Sequence, residues 1–236
     1  METSPTRAPF PTTHWSLLQK PGEVEERRRR LEELARLYWK PIYAHVRLKW
    51  GRSREEAEDL TQEFFAWILE GSFLERAEPG HGRFRGFVRA HVDHFMLNHL
   101  RAGRRLKRGG GLRVVSLDAG ESLLAALKDV PPEEILDREW RRSVLEEALR
   151  RLRNSLEAEG RRIVFDALER YDLVPEEKRP TYAVLAAELK VQPSDIDNYL
   201  SSARKRLYDL LREVVGESVD GSEALRAELD DFFPRR

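Results

Sequence analysis

The chain has no cysteine among its 236 residues. That excludes disulfides, thiolate-bound zinc and thiol nucleophiles. It has only two methionines, and asparagine and glutamine are also sparse. It has no net charge, because 42 Lys and Arg balance 42 Asp and Glu. There is therefore no whole-molecule attraction to a polyanion, and any such attraction has to come from charge segregated along the chain. No apolar run approaches the roughly 20 residues that a membrane span needs. The opening METSPTRAPFPTTHW lacks the apolar run of a secretory leader. These absences lead to the expectation of a cytoplasmic protein without membrane attachment. What the chain does have is charge in quantity, 36%, beside 40% apolar residues. At this length that is enough to bury one large core or two small ones.

Alternating strand patterns are absent, and no internal repeat of fixed period occurs. The expected fold class is therefore all-α, with two helical domains joined by a flexible linker. Residues 1–22, rich in Pro and Thr, read as an irregular arm. A first helical domain is expected over 23–108. Leu31, Leu34, Ala35, Tyr38, Ile42 and Val46 recur at three- and four-residue steps, which is one helical face. Pro41 is expected to kink or split that helix, and Gly51 ends it. In SREEAEDLTQEFFAWILEG, Ser53 and Glu56 form a capping box, and Gly71 stands at the expected stop. Leu60, Phe64, Trp67 and Ile68 share one face; Asp59, Gln62, Glu63 and Ala66 share another.

Charge segregates next. Between Arg83 and Arg113 there are nine Lys and Arg against one acid, Asp93. This is a local excess of +8 in a neutral chain. Phe84, Phe87 and Phe95 interleave with the arginines. Cations for phosphates and flat rings for unstacked bases are what single-stranded nucleic acid requires. The same rings also suit a helical core with solvated arginines around it, and both readings stand at this point. His91, His94 and His99 lie on the same helix, but only Asp93 accompanies them, in cationic surroundings, so no metal or other cofactor is expected. RGGG lacks the Lys-Ser/Thr ending of a phosphate-binding loop. No catalytic constellation stands out, and the chain does not read as an enzyme.

Residues 109–135, with Gly, Ser and Pro, read as a linker. A second helical domain is expected over 136–215, with helices near 137–157, 160–171, 181–189 and 194–214. Its stretch RPTYAVLAAELKVQPSDIDNYLSSARKRLYDLL has the pattern of a helix-turn-helix. Thr181 is placed to cap the first helix. Ser194 is expected to cap the second, with Asp197 at the capping-box position. Ile196, Tyr199, Leu200, Ala203 and Leu207 point inward. Asp195, Asp197, Asn198, Ser201, Ser202 and Lys205 then face out, with Arg204 and Arg206 close by. On DNA, Asp accepts from cytosine, Asn pairs with adenine, and the three cations anchor phosphates. A plain helical hairpin gives the same pattern. Its two Asp residues would then only favour the positive end of a helix dipole. Residues 216–236 read as an acidic tail with room for one short helix. From 213 to 236 there are seven acids against three Arg. Two readings of the tail stay open: it is solvated, or it folds onto the Arg101–Arg108 cluster and masks DNA binding.

AEDLTQEFFAWIL, GRFRGFVRAHVDHFMLNHLRAGRRLKRGGG with VSLD, and TYAVLAAELKV with NYLSSARKRLYDLL occur in this order. Together they resemble bacterial extracytoplasmic-function sigma factors, over about residues 11–230. The resemblance implies a protein that binds core RNA polymerase and directs it to promoter DNA. It implies that Asp59, Gln62, Glu63 and Phe64 belong to the polymerase-binding motif. It implies that Arg83, Phe84, Arg85, Phe87, Arg89, Arg101, Arg104, Arg105, Lys107 and Arg108 serve the melted −10 element. It implies that Thr181, Ser194, Asp195, Asp197, Asn198, Ser201, Ser202, Arg204 and Lys205 serve the −35 element. An anti-sigma factor or a kinase would be the regulator, and Thr61 lies within the polymerase-binding stripe. The chain departs from the pattern in having Lys190 where many relatives carry Gly, and Asp197 and Ser202 where many carry Lys or Arg.

Three other readings remain: a stand-alone helix-turn-helix regulator, a protein-only adaptor, and a metal-dependent nuclease built on the histidines.

Overall fold

The computed structural model describes residues 24–69, 84–103, 126–127, 129–217, 219 and 222–232. Among these, eight α-helices and one 3₁₀ turn form, and no strand. The helices are α1 (Val24–Lys49), α2 (Arg54–Leu69), α3 (Phe84–Gly103), α4 (Ile135–Ala158), α5 (Arg162–Tyr171), α6 (Tyr182–Leu189), α7 (Pro193–Gly216) and α8 (Ser222–Phe232). The residues group into two compact units. One is Met1–Ser143 with Val215–Arg236; the other is Val144–Val214.

The first unit is built on the expected face of α1. Leu34, Tyr38, Ile42 and Val46 are all buried. They are joined by Leu60, Phe64 and Ile68 of α2, and by Phe84, Val88, Val92 and Met96 of α3. Aromatic rings lock these helices together. Phe84 meets Tyr38 edge-on at 5.5 Å, Phe95 meets Phe64 edge-on at 5.6 Å, and Trp39 stacks on Phe65 at 5.7 Å. Helix α1 is not split at Pro41 but runs through it. Pro41 lies on the buried side, so tertiary packing offsets the lost backbone hydrogen bond. The capping box forms as expected: Glu56 N donates to Ser53 Oγ at 3.2 Å, and Ser53 N donates to Glu56 Oε2 at 3.0 Å.

Asp93, the one acid in the basic stretch, ties α3 to the end of α1. It accepts from Lys49 at 2.7 Å and Trp50 at 3.1 Å, and its Oδ1 lies 2.8 Å from His45 Nε2. Burial alone would raise its carboxyl. The hydrogen bonds from His45 and Lys49 outweigh that and hold it at about 2.

Part of the stretch read as linker is packed. Leu127, Val130 and Ile135 are buried with Ala44 of α1. Their apolar side chains gain more from burial than a mobile connection would.

The second unit has two adjoining apolar clusters. Leu152, Leu156, Val164, Phe165, Leu168 and Ala203 make one. Ala167, Leu185, Ala186, Ile196 and Leu200 make the other, with Tyr171, Tyr182, Leu189, Val191 and Tyr199 packed against it. Helix α5 gives Val164, Phe165 and Leu168 to the first cluster and Ala167 to the second, and α7 likewise gives Ala203 to the first and Ile196 and Leu200 to the second, so these two helices join the clusters. Between α6 and α7, Lys190 takes the left-handed conformation, φ 57° and ψ 45°, and its N–H donates back to Ala186 and Ala187. This is the conformation that glycine supplies without strain.

Candidate functional site

Helix α7 presents the surface expected to read DNA. Ile196, Leu200 and Ala203 are buried, which turns Asp197, Asn198, Ser201, Arg204 and Lys205 outward, with Ser202 half-buried. The start of the helix differs from the expectation. Pro193, not a residue after Ser194, is its first residue. Proline suits that position, because its φ is already helical and the missing N–H would have no partner there. Gln192 is therefore the cap, and its N–H donates to Asp195 Oδ2 at 3.0 Å. Asp195 thus takes the capping-box position assigned to Asp197, and Ser194 lies inside the first turn. Asn198 Nδ2 donates to Ser194 O at 3.3 Å. Thr181 caps α6 as expected, accepting from Val184 N at 3.4 Å.

The basic run Arg204–Arg206, which falls in the middle of α7, is less available than its sequence suggests. Arg204 donates to both carboxylate oxygens of Asp172, at 2.8 and 2.9 Å. It also lies over the Tyr171 ring, 5.9 Å from its centroid. Arg206 pairs with Glu159, and the bond holds that carboxyl below its usual range. Lys205 is exposed. Over residues 144–214 there are 13 Lys and Arg against 14 Asp and Glu, so this unit supplies no general field to hold it on DNA.

Helix α3 places its arginines in three different settings. Arg85 is 5% exposed. It is paired with Glu228 of α8, its Nε is 3.4 Å from Asp137 Oδ1, and its guanidinium lies over the Trp140 ring at 4.9 Å. Arg89 is half-buried, donating to Asp137 Oδ2 at 3.2 Å and to Glu133 O at 3.1 Å. Arg101 is exposed. Of the two rings assigned to bases, Phe84 is 1% exposed and belongs to the core. In sequence a ring at helical spacing looks the same facing in or out, and here it faces in, as the core reading of these rings has it. Phe87 is half-buried against His91, with ring centroids 4.0 Å apart. Arg83, Arg104, Arg105, Lys107 and Arg108 lie outside the described residues.

Helix α2 exposes Asp59 and Glu63, with Gln62 half-buried beside them. Glu63 stands 3.5 Å from His99 of α3. Phe64, assigned to the same contact set, is 1% exposed. It follows Glu63 by one position, about 100° around the helix, and this turns it into the core. Thr61 is fully buried, and its hydroxyl donates to Ala57 O at 2.6 Å. A kinase cannot reach it in this fold.

Residue patterns did not point to Asp137, Trp140, Asp172 or Glu228. Each acts through a partner distant in sequence, so no local spacing marks it. No family model, no curated protein and no solved structure matches this chain.

Proposed function

We propose that the chain is a sigma factor of the extracytoplasmic-function type, which brings core RNA polymerase to promoter DNA. The observation that carries this reading is a division of chemistry between the two units. The first exposes an acidic strip on α2, Asp59 and Glu63, suited to a basic helical partner. The second exposes a polar helix behind a short turn, suited to the major groove. The basic α3, with Arg101 exposed at its end, supplies phosphate contacts beside melted bases.

The weak charge of the second unit favours this reading over a stand-alone regulator. Arg204 and Arg206 are tied to Asp172 and Glu159, which leaves little free cation for autonomous binding. A holoenzyme tethers two weak sites and raises their effective concentration, whereas a lone regulator has no such help.

The test is co-elution with bacterial core polymerase on size exclusion, for the native chain and for Asp59→Arg with Glu63→Arg. The native chain is expected to co-elute and the double variant to fail to, with unchanged circular dichroism. A native chain that binds duplex DNA in a salt-sensitive way but never polymerase would transfer the assignment to the stand-alone regulator. Binding of neither would leave a protein-only adaptor.

A further inference from the structure

A fold of the tail onto the Arg101–Arg108 cluster involves residues 104–108, which lie outside the described residues; what is described of the tail is the acidic helix α8. It is seated in the first unit through Glu228, which is 1% exposed and paired with Arg85. Phe232 meets Trp140 edge-on, with centroids 5.7 Å apart, and Trp140 is also the ring beneath Arg85. Asp137 closes the other side of Arg85 and reaches Arg89. Two guanidiniums on one helix, served by acidic oxygens beside an aromatic plane, are the elements of a phosphodiester-and-base site. Here the protein's own carboxylates occupy it.

We propose that α8 is a displaceable cover over a nucleic-acid site formed by Arg85, Arg89 and Trp140, with Glu228 standing where a phosphate would sit. The proposal rests on the nucleic-acid reading of α3 given above, but not on polymerase binding. Three observations support it. First, the contact that covers Arg85 is itself ionic, beside the single ring contact of Phe232 with Trp140. Burying a carboxylate with a guanidinium gains little net stability, because desolvation offsets the attraction. Such a contact is suited to exchange one anion for another. Second, Arg85 is the most deeply buried cation described on a helix whose other features point to a polyanion. In this structure it can meet a phosphate only if Glu228 leaves. Third, the segment carrying Glu228 is itself acidic, seven acids against three Arg over 213–236. A polyanion that approaches α3 would repel it, so binding and release reinforce each other.

The test is fluorescence anisotropy of a labelled single-stranded oligo-dT at several salt concentrations. It compares the native chain, Glu228→Gln, and Glu228→Gln with Arg85→Ala, each checked by thermal melting. Glu228→Gln is expected to bind about tenfold tighter, the scale of one charge-assisted contact, with a steeper salt dependence. The double variant is expected to lose that gain. Equal affinity of the native chain and Glu228→Gln overturns the proposal, and so does a gain that survives Arg85→Ala.

A second readout uses the folded native length. The chain has no cysteine, so Ala90→Cys and Arg226→Cys, both at exposed positions, take spin labels specifically. Their separation should lengthen when oligo-dT saturates the protein; an unchanged separation counts against displacement. A chain that shows the Glu228→Gln gain but fails to co-elute with polymerase would keep the cover and lose the sigma assignment.

Discussion

Arg204 of α7 grips both carboxylate oxygens of Asp172, at 2.8 and 2.9 Å, across 32 positions of sequence. The pair pins the middle of the exposed helix to the segment after α5. It also takes a cation away from the surface that would meet DNA. Asp172→Asn should therefore have two effects of opposite sense. Stability should fall by about 1 kcal/mol, since Arg204 is exposed and Asp172 only half-buried. Duplex binding should gain about one phosphate contact, which steepens the slope of log K against log salt by roughly 0.9. Anisotropy on a short duplex across a salt series measures this. An unchanged slope would mean that Arg204 does not face DNA.

The turn at Lys190 gives the second prediction. A non-glycine residue at φ 57° carries a steric penalty of roughly 1 kcal/mol. Lys190→Gly removes it and, at this C-cap, should raise stability by about 0.5–1 kcal/mol. Chemical denaturation would show a higher midpoint with the same slope. A lower midpoint would mean that the lysine side chain makes a contact worth more than the strain.

Asp93 gives the third. Its carboxyl sits at about 2, below its ordinary value of 3.8. A depressed carboxylate contributes stability that is present above the unfolded value and lost as pH falls through the folded one. The loss should therefore run from about pH 4 to about pH 2. Trp50 donates to Asp93, so its indole N–H resonance should move over that window. Asp93→Asn should remove this acid dependence. If the Trp50 resonance does not move between pH 4 and 2, the link between α1 and α3 is not held by this carboxylate.

The fourth separates surface from core on α2. Phe64 is buried among Phe65, Trp67 and Phe95. Phe64→Ala should cost about 3–5 kcal/mol of stability. Thr61→Glu should likewise destabilise the fold, because it places a charge in the core without a partner. Asp59→Arg lies on the exposed face and should leave the melting temperature within a few degrees. Parallel thermal melts decide the point, and a Phe64→Ala variant as stable as the native chain would refute the packing described here.

Sequence by itself determined the helices. Leu34, Tyr38, Ile42 and Val46, or Ile196, Leu200 and Ala203, declare their buried faces because helical periodicity is local. The Ser53–Glu56 and Thr181 caps were legible for the same reason, since their partners lie three residues away. Which of the two acids caps α7 was harder to read. Asp195 and Asp197 are two positions apart, and only the helix start at Pro193 decides between them. Tertiary structure alone decided what the charges do. Arg85, Arg101 and Arg204 are identical letters in basic stretches, yet one is buried, one is exposed and one is clamped. Arg85 finds its partners Glu228 and Asp137 at 143 and 52 positions away, and Arg204 finds Asp172 at 32. An ion pair has no periodicity along the chain, and only the packed fold brings its two ends together.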